Sequence, residues 1–255
     1  MAYLDLTFRS DALNRIVTLS VILPETAKYQ KDETVTYKTL YLLHGLSDNH
    51  TAWSHQTSIE RYAAQYGLAV VMPNVDRSWY TDTADGSAYF TFITKELPSF
   101  CRGFFRGMSA KREDNIIAGL SMGGYGALKA ALTYPEAYGY CASLSGVTDI
   151  AYSERLNVIE EWRGIFGFTL ESADELRGSH HDNFALAKKN AENKVDLPKL
   201  FLWCGEDDFL LDANRRFHAH LNELGIEHEY RESEGNHSWQ WWDLHIQSAL
   251  KYLLG

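Results

Sequence analysis

The sequence predicts an α/β fold with a mostly parallel central sheet, helices on both faces and a cap insertion. Three observations predict it. Short apolar runs recur along the chain, most are followed by a stretch of helical spacing, and the pairs repeat in the same order. Strands alternating with helices imply parallel pairing through right-handed crossovers, which places helices on both faces. At 255 residues the chain suits one large α/β domain, taken as residues 1–255 with a cap at about 147–198. A chain of this length buries roughly three quarters of its unfolded surface, so its core needs neither metal nor disulfide.

Two alternating or β-branched runs open the chain, Tyr3 to Phe8 and Arg15 to Leu23. They read as antiparallel strands ending at Pro24. Lys38 to Leu43 is a nearly continuous apolar run, as expected of a strand covered on both faces, and it stops at His44-Gly45. Ser58 to Tyr66 reads as a helix closed by Gly67, and Leu68 to Met72 as the next strand. A helix spans about Tyr89 to Phe105, with Pro98 marking a kink. Asn115 to Ala118 is a short strand, followed at once by a helix from Met122 to Thr133. Strands at Tyr140 to Leu144 and Lys199 to Cys204 come next, then a helix near Asp212 to Leu224 and a strand near Glu227 to Arg231. The last helix runs from about Trp239 to Leu254. Between Gly146 and Pro198 the rhythm breaks: helical patches at Arg155 to Trp162 and Asp182 to Asn193 appear without a strong strand. An insertion of that length reads as a cap over the site or as an extra packing layer.

Composition narrows the function. The formal net charge is −10, from 34 acidic and 24 basic residues, and such a field repels phosphate backbones and anionic membranes. Nucleic acid is therefore not an expected partner. The N-terminus lacks a basic, apolar leader, and no window is long and apolar enough to span a membrane. The cysteines, Cys101, Cys141 and Cys204, fall in apolar segments without CxxC spacing, which reads as buried reduced thiols in a cytoplasmic protein.

The chemistry is carried by Ile117-Ala118-Gly119-Leu120-Ser121-Met122-Gly123-Gly124. Gly-x-Ser-x-Gly lies here between an apolar strand and an amphipathic helix, the context in which it forms a nucleophile elbow. A strand turning that sharply into a helix strains its turn residue and leaves no room for side chains two positions away. Gly119 and Gly123 supply the space, and Ser121 emerges at the carboxyl edge of the sheet. The elbow makes an α/β-hydrolase the specific form of the predicted fold.

A serine hydroxyl needs a base, and in this fold the base follows an acid, in the order Ser, Asp, His. His237, in the small-residue loop Gly235-Asn236-His237-Ser238, has that setting. His245 reads as a helix-surface residue, and His218 and His220 as solvated. The acid belongs after the preceding strand, where Glu206-Asp207-Asp208-Phe209-Leu210 offers three carboxylates; Asp208 is favoured, with Asp207 the alternative. Its role is to hold the imidazole tautomer and stabilise the imidazolium. Oxyanion donors are the amide of Met122, and the amide of Leu46 with Gly45 and Ser47 as competitors. His44 reads as shaping that loop through hydrogen bonds. Trp53, Trp79, Trp162 and Trp239 are candidate substrate contacts. No HExxH, zinc-type cysteine pairing or Walker lysine is present, and His180-His181-Asp182 are adjacent rather than convergent, so neither metal nor cofactor is expected.

Taken together, Tyr41 to Leu46, Gly119 to Gly124, Asp207 to Leu210 and Asn236 to Trp239 resemble the esterase D and S-formylglutathione hydrolase group, most closely the bacterial tributyrin esterases. The resemblance runs nearly end to end. It implies hydrolysis of short acyl esters and, in many members, homo-oligomeric assembly. One departure stands out: the glutathione-thioester hydrolases carry Thr-Cys-Thr after the oxyanion Gly-Leu, and Ser47-Asp48-Asn49 stands here. That favours a general esterase, with acetylated sugars within reach. The alternatives within the resemblance are a formylglutathione-type thioesterase, a cinnamoyl or feruloyl esterase, and a mycolyl-type acyltransferase.

Overall fold

The first two strands, β1 (Ala2–Ser10) and β2 (Arg15–Leu23), pair antiparallel in one continuous register, Ala2 opposite Leu23 and Ser10 opposite Arg15. Along β1, Leu4, Leu6 and Phe8 turn inward while Asp5, Thr7 and Arg9 are exposed, as an edge strand with one wet face requires. A computed structural model of the chain describes residues 1–25, 36–151, 159–167 and 169–255. The remaining strands are β3 (Thr39–Leu43), β4 (Ala69–Pro73), β5 (Asn115–Leu120), β6 (Tyr140–Leu144), β7 (Lys199–Gly205) and β8 (His228–Ser233). They form one eight-stranded sheet in the order β1-β2-β4-β3-β5-β6-β7-β8. Pairing is antiparallel from β1 through β4 and parallel from β4 to β8.

The period of two divides the core into two layers. Tyr41 and Leu43 of β3, with Ile117 of β5, pack beneath α3, α4 and α7; these are the helix at Tyr89–Thr91, Phe92–Glu96 and Leu97–Phe104, then Met122–Thr133, and Leu211–Glu223. Leu40, Leu42, Ile116 and Ala118 face the other way. They pack against Trp53 of α1 (Ala52–Gln56), Ile59 and Tyr62 of α2 (Ile59–Tyr66), and Trp242 and Ile246 of α8 (Trp239–Leu254). β3 and β5 are buried along their whole length, which explains their unbroken apolar runs.

Three local features differ from the sequence expectation. The irregularity of α3 precedes Pro98: Phe92–Glu96 is a wide π turn, and the Leu97 amide donates to the Phe92 carbonyl. The wider turn takes the strain that a proline imposes on the carbonyl four residues before it. Helix α1 was not expected; at five residues it is too short to show a periodic pattern. Of the expected patch Arg155 to Trp162, residues 155–158 lie outside the described residues, and the helix there is α5 (Ile159–Phe166). The next helix, α6 (Asn183–Glu192), is capped by Asp182, whose side chain accepts from the Phe184 amide. Tyr125 of α4 donates to the His181 carbonyl at 2.9 Å, and Asn190 of α6 donates to the Leu132 carbonyl at 2.7 Å. These bonds seat the described part of the insertion on α4.

Candidate active site

Ser121 sits between β5 and α4 with φ 53° and ψ −119°, a conformation that L-residues rarely adopt. Such strain costs about 1–3 kcal/mol and persists only where the surroundings impose it. The Ser121 amide donates to the Leu144 carbonyl at 3.0 Å, and its carbonyl accepts from Tyr125 at 3.1 Å and Val147 at 3.2 Å. Beneath it, a Cβ on Gly123 would lie 2.4 Å from the Leu43 carbonyl oxygen. Only glycine permits that approach, which brings the N-terminus of α4 against the end of β3.

Three side chains from separate loops meet here. The Ser121 hydroxyl lies 3.0 Å from Nε2 of His237, and Nδ1 of His237 lies 2.9 Å from Oδ2 and 3.2 Å from Oδ1 of Asp208. A carboxylate beside Nδ1 places the imidazole proton there and leaves Nε2 free to accept from the serine. The Asp208 side chain is fully buried and that of His237 one-fifth exposed, so the acid is shielded while the base reaches the surface. Oδ1 of Asp208 also accepts from the Leu210 amide at 2.9 Å. Asp207, the alternative acid, is exposed, and its amide donates to Gly235 at 2.8 Å. The structure therefore brings Asp208, not Asp207, to the histidine.

The backbone supplies the donors. The first helical bond of α4 runs from Tyr125 to Ser121, so the Met122 amide at the helix start has no partner within the helix. The Leu46 amide has no acceptor among the described residues, and the loop carrying it adjoins the start of α4 at Gly123. His44 is buried beneath this loop. Its Nδ1 lies 2.7 Å from the Gly45 carbonyl oxygen, and its Nε2 accepts from the Val75 amide at 3.1 Å. Burial pulls its pKa down to about 4, which keeps it neutral.

Two tryptophan expectations are corrected. Trp53 and Trp79 are each 1 % exposed, and neither presents a surface to substrate. Trp53 donates from Nε1 to the Leu43 carbonyl at 3.0 Å and braces β3 from below. Trp79 is packed edge-on against Trp162 at 5.0 Å and Tyr125 at 6.0 Å. Trp162 is buried with it. Trp239 is half-buried and touches the edges of Trp53 and Trp242, the latter edge-on to His237 at 4.9 Å. Histidine readings change too. His245 is buried, stacked on Trp203 at 3.9 Å and 3.2 Å from the Ser233 hydroxyl. His218 pairs with His228 at 2.7 Å, and His220 bonds the Phe184 carbonyl at 3.0 Å. Helix spacing alone did not reveal that β7 and β8 pack against His245 and His218, or that α6 packs against His220.

Sequence reasoning also missed two residues. Phe209, half exposed, lays its ring 4.6 Å from that of His237; its position next to Asp208 was the available signal. Lys129 of α4 is fully buried, with Nζ bonded to the Thr81 hydroxyl, the Tyr80 carbonyl at 3.3 Å and Nδ1 of His181 at 3.2 Å. A lone lysine in a helical pattern gives no sign of burial. His181 is thereby engaged with protein, and no metal-holding group of three or more ligand-type residues occurs among the described residues.

A serine hydrogen-bonded to a histidine, on this elbow and this sheet, defines a serine hydrolase of the α/β-hydrolase type. The chain belongs to the Esterase family, described as "Putative esterase", whose model matches residues 10–253, and it falls in the esterase D and S-formylglutathione hydrolase group. It is 34 % identical over 266 aligned residues to an acetyl esterase of Caldicellulosiruptor saccharolyticus, covering 99 % of this chain and 98 % of that one. A crystal structure of the S-formylglutathione hydrolase FrmB from Staphylococcus aureus superposes with a TM-score of 0.88 at 35 % identity, covering 100 % and 99 % of the two chains. FphF, a fluorophosphonate-binding serine hydrolase of Staphylococcus aureus solved with substrate bound, gives 0.89 at 36 % identity, covering 100 % and 98 %.

Proposed function

We propose that the chain is a carboxylesterase that hydrolyses short acyl esters of the tributyrin type through an acyl-enzyme on Ser121. The carrying observation is the continuous hydrogen-bond path from the Ser121 hydroxyl through His237 to Asp208. In this reading His237 takes the serine proton as the oxygen attacks the ester carbonyl, and Asp208 holds the imidazolium that forms. The amides of Leu46 and Met122 receive the negative charge on the tetrahedral oxygen. His237 returns the proton to the departing alcohol, then activates water to release the acid. Trp239 and Phe209 are the aromatic side chains best placed to meet the substrate. We also read the chain, residues 1–255, as a single domain, with the described residues of the 147–198 insertion acting as a cap over the site. Three buried free thiols, Cys101, Cys141 and Cys204, suit a reducing, cytoplasmic setting.

A second reading, thioester hydrolysis of the formylglutathione type, is favoured by the FrmB likeness and opposed by Ser47-Asp48-Asn49 in the oxyanion loop. Rates on p-nitrophenyl acetate, butyrate and longer acyl chains, beside S-formylglutathione, separate the two. The ester reading expects the highest kcat/KM on acetate or butyrate and a loss on the order of 10³-fold or more in Ser121→Ala. Preference for the thioester assigns the second reading, and an active Ser121→Ala overturns both.

A further inference from the structure

Two consecutive peptide units, His44–Gly45 and Gly45–Leu46, end on the Leu46 amide, which has no acceptor among the described residues, and every other polar group on them is held. The His44 carbonyl accepts from the Tyr80 hydroxyl at 2.9 Å, and the Gly45 amide donates to Oδ2 of Asp48 at 3.2 Å. The Gly45 carbonyl accepts from the Asp48 amide at 3.2 Å and lies 2.7 Å from Nδ1 of His44. Because Nε2 of His44 accepts from the Val75 amide, the ring proton must reside on Nδ1, and His44 donates to Gly45. The Gly45 carbonyl and the Leu46 N–H belong to one planar trans peptide and point in opposite directions. Fixing the first therefore aims the second.

We propose that His44 is a positioning residue of the oxyanion site: its Nδ1–H pins the Gly45–Leu46 peptide plane so that the Leu46 N–H is preset toward the tetrahedral oxygen. This rests on the esterase reading above. Preset donors cost no reorganisation when charge develops, so the loss of one is felt in kcat more than in KM. The hydrogen bond also polarises the peptide and strengthens its N–H as a donor. Burial that keeps His44 neutral preserves the required tautomer.

Two substitutions separate aiming from simple loop anchoring. Asn carries an amide nitrogen where Nδ1 lies, so His44→Asn retains the donor to Gly45 and loses the acceptor for Val75. His44→Gln reaches the Nε2 position, retaining the acceptor and losing the donor. The proposal expects kcat on p-nitrophenyl butyrate to fall on the order of 10²-fold in His44→Gln with KM within about threefold, and no more than about tenfold in His44→Asn. Equal losses, or a larger loss in His44→Asn, overturn it. A measurement on the unaltered chain covers variants that fail to fold. Imidazole nitrogen-15 spectra at pH 7 should show His44 as the Nδ1–H tautomer, and a short alkylboronic acid should move the Leu46 amide proton downfield; an Nε2–H tautomer or a static Leu46 amide overturns the proposal. Failure of wild-type Ser121 to react with a fluorophosphonate would instead indict the esterase reading itself.

Discussion

Gly119 and Gly123 touch across the turn that carries Ser121: a Cβ on Gly119 would lie 2.5 Å from the carbonyl carbon and oxygen of Gly123. Both positions approach backbone, which cannot swing aside as a flexible side chain can. Gly123→Ala would drive a methyl into the Leu43 and His44 carbonyls at 2.4 and 2.7 Å. The elbow and the oxyanion loop must then separate, and displacements near 1 Å cost about 10²-fold in rate. The expected result is a folded protein, checked by circular dichroism, with kcat reduced at least that far. Near-wild-type turnover would mean the loop and elbow do not act together.

Asp208 and Asp207 are neighbours with opposite surroundings, and they divide the effects expected of an orienting acid. Asp208→Asn keeps the shape but turns an amide toward Nδ1, which favours the wrong tautomer of His237. A fall in kcat on the order of 10⁴-fold is expected, by analogy with the orienting aspartate of other serine hydrolases. Asp207→Asn, on an exposed side chain, should stay within about threefold. Steady-state kinetics on p-nitrophenyl acetate measure both, and a larger effect at Asp207 would reverse the assignment.

The sheet was legible because its central parallel strands are buried on both faces: the unbroken apolar runs of β3 and β5 leave little else for them to be. The serine, histidine and acid positions were legible for a related reason, since each follows a strand of that sheet and stands in a glycine-bearing turn. Trp53 and Trp79 were misjudged because a tryptophan that lines a pocket and one that braces a strand look the same in sequence. What separates them is the hydrogen bond from Trp53 to the Leu43 carbonyl and the ring of Trp162 against Trp79, contacts that packing makes and local pattern does not show. Lys129 and His245 were unreadable for the converse reason: charge on a helix is usually solvated, and only packing buries it.

Trp53 offers a stability test that substrate binding should not share. Trp53→Phe removes the Nε1 donor and leaves the Leu43 carbonyl oxygen without it inside the core. An unpaired buried group costs about 1–3 kcal/mol, with a further cavity contribution from the smaller ring. Thermal or urea unfolding should report that loss while KM for p-nitrophenyl butyrate stays within about twofold. A KM that rises sharply with stability intact would return Trp53 to the substrate pocket.

Lys129 carries the pH prediction. Burial lowers its pKa from the ordinary 10.5 to about 7, with the Asp82 carboxylate opposing the shift and His181 and His180 close by. In the unfolded chain the amine stays protonated up to about pH 10.5, whereas in the folded chain it gives up its proton near pH 7. The unfolded state thus binds more protons across that window, and stability must rise as the pH climbs from about 7 toward 10.5. At and below neutrality the fold carries the full cost of a charged amine, on the order of a few kcal/mol. Lys129→Met removes the titrating group while keeping an unbranched stem. Its urea unfolding free energy should therefore show a weaker dependence on pH between 7 and 10 than the wild type, the stability of Lys129→Met relative to wild type falling as the pH rises. Taking that difference cancels the tyrosines and other groups that titrate in both proteins. Parallel curves across the window would show that Lys129 keeps its proton in the fold, held by Asp82 against the cost of burial.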